Sequence, residues 1–189
     1  MKNVLVLNGP NLNLLGTREP AVYGKDTLAD VETLCRQEGA KLGVSIDCRQ
    51  SNHEGQLIDW IHEAGRDHAS GKTIGVVLNA GAYTHTSIAL HDAIKGANVP
   101  VIELHISNVH SREPFRHHSW LSPVARGVMA GFGVQGYALA IAGLVRLEGE
   151  LPPPGARGRG SWNLLPEFRR RGICDASIIH PCPSYRRLM

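Results

Sequence analysis

Two pairs of side chains in this 189-residue sequence could move protons. Tyr23 would ordinarily have a pKa of about 10, too high for a base at neutral pH, but Arg18 on the same loop could stabilise its phenolate. His105 lies one residue past a buried apolar run. Glu103, two residues earlier and so on the same strand face, could hold the His105 ring and favour its charged form. The first pair suits a general base and the second a general acid.

The polar residues near these pairs suit a substrate with a carbonyl and an anionic group. Asn11 and Asn79 can orient hydroxyls or stabilise a developing enolate. Arg116 and the backbone amides near Ile106 and Ser107 suit an anion. An unaided base opposite an acid suits the removal of a proton next to a carbonyl, followed by loss of a hydroxyl as water.

Each of these residues also has a purely structural interpretation. Arg18 could form an ion pair within its loop, Tyr23 could pack before a glycine turn, and His105 could be a strand-end histidine whose hydrogen bonds are satisfied. Asn11 and Asn79 could be ordinary turn residues. Asp92 and Arg112 could be solvated or paired surface charges. The catalytic interpretation is favoured where all the groups converge on one crevice.

Other catalytic chemistries lack their motifs in the sequence. The loop after the first strand has no P-loop or GxGxxG motif, so flavin binding remains only an analogy with the fold. Six histidines lie between residues 85 and 118, but no HExxH or paired CxxC motif supports a metal site. No Gly-x-Ser-x-Gly elbow appears, and Cys35 and Cys48 fall within a helix and a strand. We therefore expect neither a metal nor a cofactor.

Buried apolar runs alternate with helical patterns as far as residue 148. The apolar runs predict strands over residues 4–7, 44–48, 74–78, 99–104 and 127–131. Helical spacing predicts helices over residues 27–43, 54–69, 87–97 and 134–148. Thr27 and Asp30 form an approximate capping box at the first of these helices. This alternation indicates a flavodoxin-like, doubly wound α/β fold with helices on both faces of a parallel sheet of order 2-1-3-4-5.

This fold determines where the candidate residues should meet. In an open parallel sheet, ligands bind beyond the carboxyl ends of the strands at the topological switch point, here between the first and third strands. The loops at that edge are residues 9–24, 79–87 and 103–108, which contain most of the polar residues without an obvious structural duty.

The last 39 residues differ from the rest in charge and composition. Residues 1–150 carry 13 Lys and Arg against 15 Asp and Glu, whereas residues 151–189 carry 7 against 2 and contain six of the eleven prolines. We predict a catalytic domain over residues 1–150 and a basic, poorly ordered extension over residues 151–189. Polyanion binding by this extension is an alternative function of a different class. We otherwise expect no nucleic-acid partner.

The sequence indicates a cytoplasmic protein with no membrane partner. Its apolar runs are far shorter than the about 20 residues that span a bilayer, and its first residues do not form a signal peptide. Four cysteines without a CxxC motif fit reduced thiols.

Five motifs, in order along the chain, resemble those of type II 3-dehydroquinate dehydratases. They are GPNLNLLGTREPAVYG at 9–24, QSNHEG at 50–55, NAGAYTHTS at 79–87, ELHISN at 103–108 followed by Arg112 and Arg116, and GVQGY at 133–137. The likeness covers about residues 3–148. Ala80 stands where the family commonly has a proline, a change that removes no polar group, and residues 151–189 exceed the family's usual length.

The resemblance implies trans elimination of water from 3-dehydroquinate to give 3-dehydroshikimate, through an enolate and without a cofactor. The reaction would serve the shikimate pathway, leading to chorismate and the aromatic amino acids, or alternatively quinate breakdown. By resemblance, Tyr23 is the base that takes the C2 proton, Arg18 lowers its pKa, and His105, oriented by Glu103, protonates the departing C1 hydroxyl. Asn11 would hold the water that stabilises the enolate.

The resemblance also implies a set of substrate contacts and an assembly. The carboxylate and hydroxyls would be bound by Asn79, His85, Ile106, Ser107 and Arg116. Asp92 matches a position that reaches the site of a neighbouring subunit. Family members form trimers that assemble into dodecamers, so we expect a homo-oligomer.

Overall fold

Five parallel strands form one sheet in the order β2-β1-β3-β4-β5. The computed structural model describes residues 1–17 and 25–150. The strands are β1 (Asn3–Asn8), β2 (Ser45–Gln50), β3 (Thr73–Asn79), β4 (Val101–His105) and β5 (Gly127–Ala130). The predicted fold class and strand order are confirmed. Arg18, Tyr23 and the predicted extension over residues 151–189 lie outside the described residues.

In the described part of the chain, four α-helices cover the two faces of the sheet. They are α1 (Leu28–Leu42), α2 (Glu54–Ala69), α3 (Ile88–Ala97) and α4 (Gln135–Glu150). On one face, Val31 of α1 and Ile141 of α4 pack in a single apolar cluster against the sheet. On the other face, Leu57 of α2 and Leu90 of α3 do the same. Burial of both faces explains why the central strands β1 and β3 are nearly continuous apolar runs, whereas the edge strand β2 is more polar and only partly buried.

The helix ends follow the local sequence signals. At the start of α1, the Asp30 backbone N–H donates to Thr27 Oγ1 (3.3 Å) and the Thr27 N–H donates to Asp30 Oδ2 (2.8 Å), so the predicted capping box is present. Gly43 ends the same helix in the left-handed conformation with φ 72°. Among the described residues, no helix is long and apolar enough to cross a membrane.

The boundaries of β4 differ from the sequence prediction, and the difference affects the position of His105. β4 begins at Val101, after Pro100, and extends to His105, which pairs in register with Ala130 of β5. His105 is therefore the last residue of the strand rather than the first residue past it. Its backbone is fixed by the sheet, because its carbonyl also accepts a hydrogen bond from Gly131 N (3.2 Å).

The carboxyl ends of β1 and β3 approach each other closely at the switch point. The Gly9 N–H donates to the Asn79 carbonyl (2.8 Å), and a Cβ at position 9 would lie 2.5 Å from the Ala80 carbonyl oxygen. A larger residue cannot occupy position 9 without moving backbone. Ala80 itself is fully buried at this contact. The loops that follow β1 and β3 therefore begin at a close backbone contact between the two strands.

Candidate active site

A cavity of about 100 Å³ opens at the carboxyl ends of β1, β3 and β4. Its walls include seven residues singled out in the sequence: Asn11, Asn79, His85, His105, Ile106, Ser107 and Arg116. Glu103 contacts one of them directly from within the sheet. Asp92, by contrast, is exposed on α3 and is not among the described residues that line this cavity. The convergence expected from the fold therefore holds for the described candidates other than Asp92.

His105 and Glu103 form a buried pair beneath the cavity. His105 Nε2 lies 2.8 Å from Glu103 Oε1, and the two residues are 7% and 1% exposed. Burial alone would raise the pKa of Glu103, but hydrogen bonds from His105, Ser122 and Ser119 outweigh it and lower that pKa below its usual value. Glu103 is therefore an ionised acceptor at neutral pH, and His105 donates from Nε2. Nδ1 is the ring nitrogen left to face a ligand.

His85 stands across the cavity from His105. The two rings are nearly parallel, with their centroids 6.3 Å apart. His85 Nδ1 lies 2.7 Å from the His118 carbonyl, to which it must donate. Burial, together with the positive charge of neighbours such as Arg116, lowers the pKa of His85 below its usual value. A neutral His85 therefore presents Nε2 as a hydrogen-bond acceptor, which suits a substrate hydroxyl.

Asn79 is held by a buried polar network that the sequence did not reveal. Its Nδ2 donates to the Tyr137 hydroxyl (2.9 Å), which in turn donates to Asn8 Oδ1 (2.6 Å). Its Oδ1 accepts from Gly81 N (3.3 Å). Tyr137 belongs to the GVQGY motif, but only the packing of α4 on β3 and β4 shows what it touches. The network fixes which end of the Asn79 amide faces each partner.

Tyr137→Phe is expected to lower the free energy of unfolding by about 1–3 kcal/mol, because Asn79 and Asn8 lose a buried partner. It is also expected to raise KM, since Asn79 is then held less firmly. Urea denaturation and steady-state kinetics measure the two effects. The matched control is Thr33→Val, which removes an exposed hydroxyl that donates to the Ala29 carbonyl on α1, away from the cavity. Equal losses in the two variants would contradict the network's role.

Two arginines line the outer wall of the cavity. Arg116 Nε lies 2.9 Å and Arg112 Nε 3.5 Å from Glu113 Oε2, and the Glu113 side chain is 49% exposed. Arg112 is paired with Glu113, as the interpretation of it as a paired surface charge allows, but its side chain is only 15% exposed and lines the cavity. Paired arginines at the mouth favour an anionic ligand.

Further supporting contacts were also missed from the sequence. Asn11 has a left-handed backbone with φ 66°, and its N–H donates to Asn52 Oδ1 (2.9 Å). Ser119 and Ser122, on the long loop between β4 and β5, reach back to Glu103. The QSNHEG motif carried a signal for Asn52, but the two serines had none, since their contact depends on the path of the loop. Within residues 1–17 and 25–150, no three His, Cys, Asp or Glu side chains come together as metal ligands.

Taken together, the fold and site define a class of enzyme. A doubly wound sheet with a carboxylate-bound histidine and two arginines at its switch point suits general acid–base chemistry on a small anion. A sequence model of the dehydroquinase class II family matches residues 2–145. The chain belongs to this family.

Relatives at high identity cover the same region. A protein from Ralstonia nicotianae named 3-dehydroquinate dehydratase 2 is 76% identical over 145 residues, covering 77% of this chain and 94% of the relative. A 3-dehydroquinate dehydratase from Variovorax paradoxus is also 76% identical over 145 residues, covering 77% and 99%. The aligned region amounts to nearly the whole of each relative.

Solved structures agree with the sequence relatives. The type II dehydroquinase of Butyrivibrio crossotus is 43% identical with a TM-score of 0.72, covering 76% of this chain and 97% of that one. The type II dehydroquinase of Propionibacterium acnes is 43% identical with a TM-score of 0.73, covering 77% and 97%. The likeness thus extends from the sequence to the arrangement of the sheet and helices.

Proposed function

We propose that this chain removes water from 3-dehydroquinate by trans elimination, giving 3-dehydroshikimate through an enolate, as a hydro-lyase of the shikimate pathway. The observation that carries the proposal is the buried Glu103–His105 pair at the switch-point cavity of a class II dehydroquinase chain. Membership of this family favours the biosynthetic dehydratase over both quinate breakdown and polyanion binding. The basic segment that motivated the polyanion alternative lies outside the described residues.

The first step is removal of the C2 proton. The C3 carbonyl makes this proton acidic, because the electron pair left behind is delocalised onto oxygen as an enolate. Tyr23, as a phenolate stabilised by Arg18, is the proposed base. Asn11 holds the water that stabilises the enolate oxygen. Since the substrate carbonyl itself receives the charge, the step requires no cofactor.

The second step is loss of the C1 hydroxyl. The enolate electron pair returns to form the C1–C2 double bond as the C1–O bond breaks, and His105 gives its Nδ1 proton to the departing oxygen, which leaves as water. Glu103, held at 2.8 Å from Nε2, offsets the positive charge of the ring before transfer. The proton on Tyr23 then returns to solvent, and His105 regains one.

The substrate is bound by groups around the cavity wall. Arg116, with the backbone amides at Ile106 and Ser107, holds the carboxylate, and neutral His85 and Asn79 accept or donate to the ring hydroxyls. The donors at Arg116 and at the Ile106 and Ser107 amides match the negative charge of the substrate, and His85 and Asn79 match its hydroxyls.

The test is the fate of a deuterium placed at C2 of 3-dehydroquinate. Each of the two C2 hydrogens is replaced in turn, and the product is examined by proton NMR. The proposal predicts that the deuterium trans to the C1 hydroxyl is lost and the cis deuterium is retained. Loss of the cis deuterium would contradict the proposal. So would the absence of any product, with both deuterium labels retained in the substrate.

The proposal includes assembly into trimers and dodecamers in the cytoplasm, with Asp92 reaching a neighbouring subunit's site. The exposure of Asp92 on α3 supports this, since a residue that serves a neighbour must lie on the surface of its own chain. Light scattering of the purified protein is expected to give twelve chain masses, and Asp92→Ala to raise KM. A monomer with full activity would contradict this part of the proposal.

A further inference from the structure

Two serine hydroxyls reach Glu103 from the loop between β4 and β5. Ser119 Oγ donates to Glu103 Oε1 (2.7 Å), which also accepts from His105 Nε2 (2.8 Å). Ser122 Oγ donates to the other oxygen, Oε2. Both carboxylate oxygens are therefore occupied by donors, although Glu103 is only 1% exposed.

The direction of the Ser119 hydrogen bond is fixed by its surroundings. Ser119 Oγ accepts two backbone hydrogen bonds, from Leu121 N and Ser122 N, each at 3.0 Å. With its lone pairs so used, the hydroxyl hydrogen is left for Glu103. Ser119 thus connects the turn of its own loop to the carboxylate, and the loop conformation and the charge on Glu103 support each other.

Few other groups act on this carboxylate among the described residues. Glu103 pairs in register with Leu78 of β3 and Val128 of β5, and both of these residues are apolar. The titratable groups that face Glu103 are His105 on its own strand and His85 across the cavity. On α3, His91 Nδ1 is bonded to the Trp120 carbonyl in the same loop as the two serines (2.7 Å). The two serines therefore supply the neutral donors that a buried anion requires.

We propose that Ser119 and Ser122 are positioning residues for the dehydration, which keep Glu103 ionised and fixed so that His105 holds the proton it delivers. The inference rests on the proposed function. Neither serine touches the cavity, so both act through Glu103.

Removal of either serine hydroxyl takes one donor from the Glu103 carboxylate. Without one hydroxyl, the buried carboxylate is less stabilised, its pKa rises, and it competes with His105 for the proton. We expect Ser122→Ala to lower kcat by about tenfold with little change in KM, and to move the titration of Glu103 up by about one pH unit. Ser122→Thr, which keeps a hydroxyl, is expected to have a kcat and a Glu103 titration close to those of the wild type.

The experiment compares kcat, KM and the infrared titration of Glu103 in the full-length protein, using 3-dehydroquinate as substrate. The Glu103 carboxyl band is identified as the band that Glu103→Gln removes. Ser70→Ala is the matched control, since Ser70 Oγ bonds the Asp67 carbonyl at the far end of α2. It is expected to change neither kcat nor the titration.

The possible outcomes separate the two proposals. A wild-type protein that is folded but inactive on 3-dehydroquinate overturns the proposed function, and this inference with it. An active wild type with an unmoved Glu103 titration in Ser122→Ala overturns the inference alone. Ser119→Ala should behave like Ser122→Ala. If Ser119→Ala does not fold, Ser122→Ala still decides the question, because it leaves both backbone bonds to Ser119 intact.

Discussion

His105→Ala is expected to lower kcat for dehydration by about 10²- to 10⁴-fold, the contribution typical of a positioned general acid. The departing hydroxyl would leave as hydroxide unless it is protonated, and His105 is the proposed donor. The measurement is the steady-state rate of product formation from 3-dehydroquinate across a range of substrate concentrations. The loss is expected in kcat rather than only in KM, since His105 acts on the leaving group.

The same variant should keep the first chemical step. Proton removal at C2 precedes protonation of the hydroxyl, so His105→Ala is expected to exchange the C2 hydrogen of the substrate with deuterium from D2O while forming almost no product. His62→Ala, on the exposed side of α2, is the control for loss of a histidine. Thermal unfolding of each variant checks that the fold survives. A His105→Ala enzyme that eliminates water at a near-normal rate would disprove the assigned role.

Tyr23→Phe is expected to lower kcat by a similar factor, about 10²- to 10⁴-fold, because the ring then lacks the oxygen that accepts the C2 proton. Unlike His105→Ala, it should lose both dehydration and C2 exchange. Both activities can be followed together by proton NMR in D2O. This difference between the two variants separates the base from the acid.

Tyr185→Phe is the matched control for Tyr23→Phe, since it lies outside the segment matched by the family model. It is expected to leave kcat and exchange unchanged. Arg18→Ala should resemble Tyr23→Phe in losing exchange, because the phenolate is no longer stabilised at neutral pH. C2 exchange that persists at the wild-type rate in Tyr23→Phe would show that another group is the base.

The sheet could be predicted almost completely from the sequence because its signals are local. Continuous apolar runs and helical spacing each depend on a few neighbouring residues, and the cap at Thr27 depends on a residue only three positions away. The Glu103–His105 contact was predictable for the same reason, since residues two apart on a strand share a face.

What could not be predicted depends on contacts between distant parts of the chain. Asn8 and Tyr137 are 129 positions apart, and their hydrogen bond requires the final orientation of α4 on the sheet. Ser119 and Ser122 reach Glu103 only because the loop before β5 folds back over β4. Neither residue type nor spacing indicates such a path, so the supporting roles of Tyr137, Ser119 and Ser122 were missed.

The most direct test of the proposed chemistry is the ultraviolet absorbance of 3-dehydroquinate mixed with the purified protein in the presence of EDTA. Dehydration creates a conjugated enone carboxylate, which absorbs where the substrate does not. Acid–base elimination predicts a rise in absorbance that persists with the chelator, and that persists in enzyme first treated with substrate and borohydride to trap any lysine Schiff base. Loss of the rise under either treatment, or no rise from the folded wild-type protein, would contradict the account.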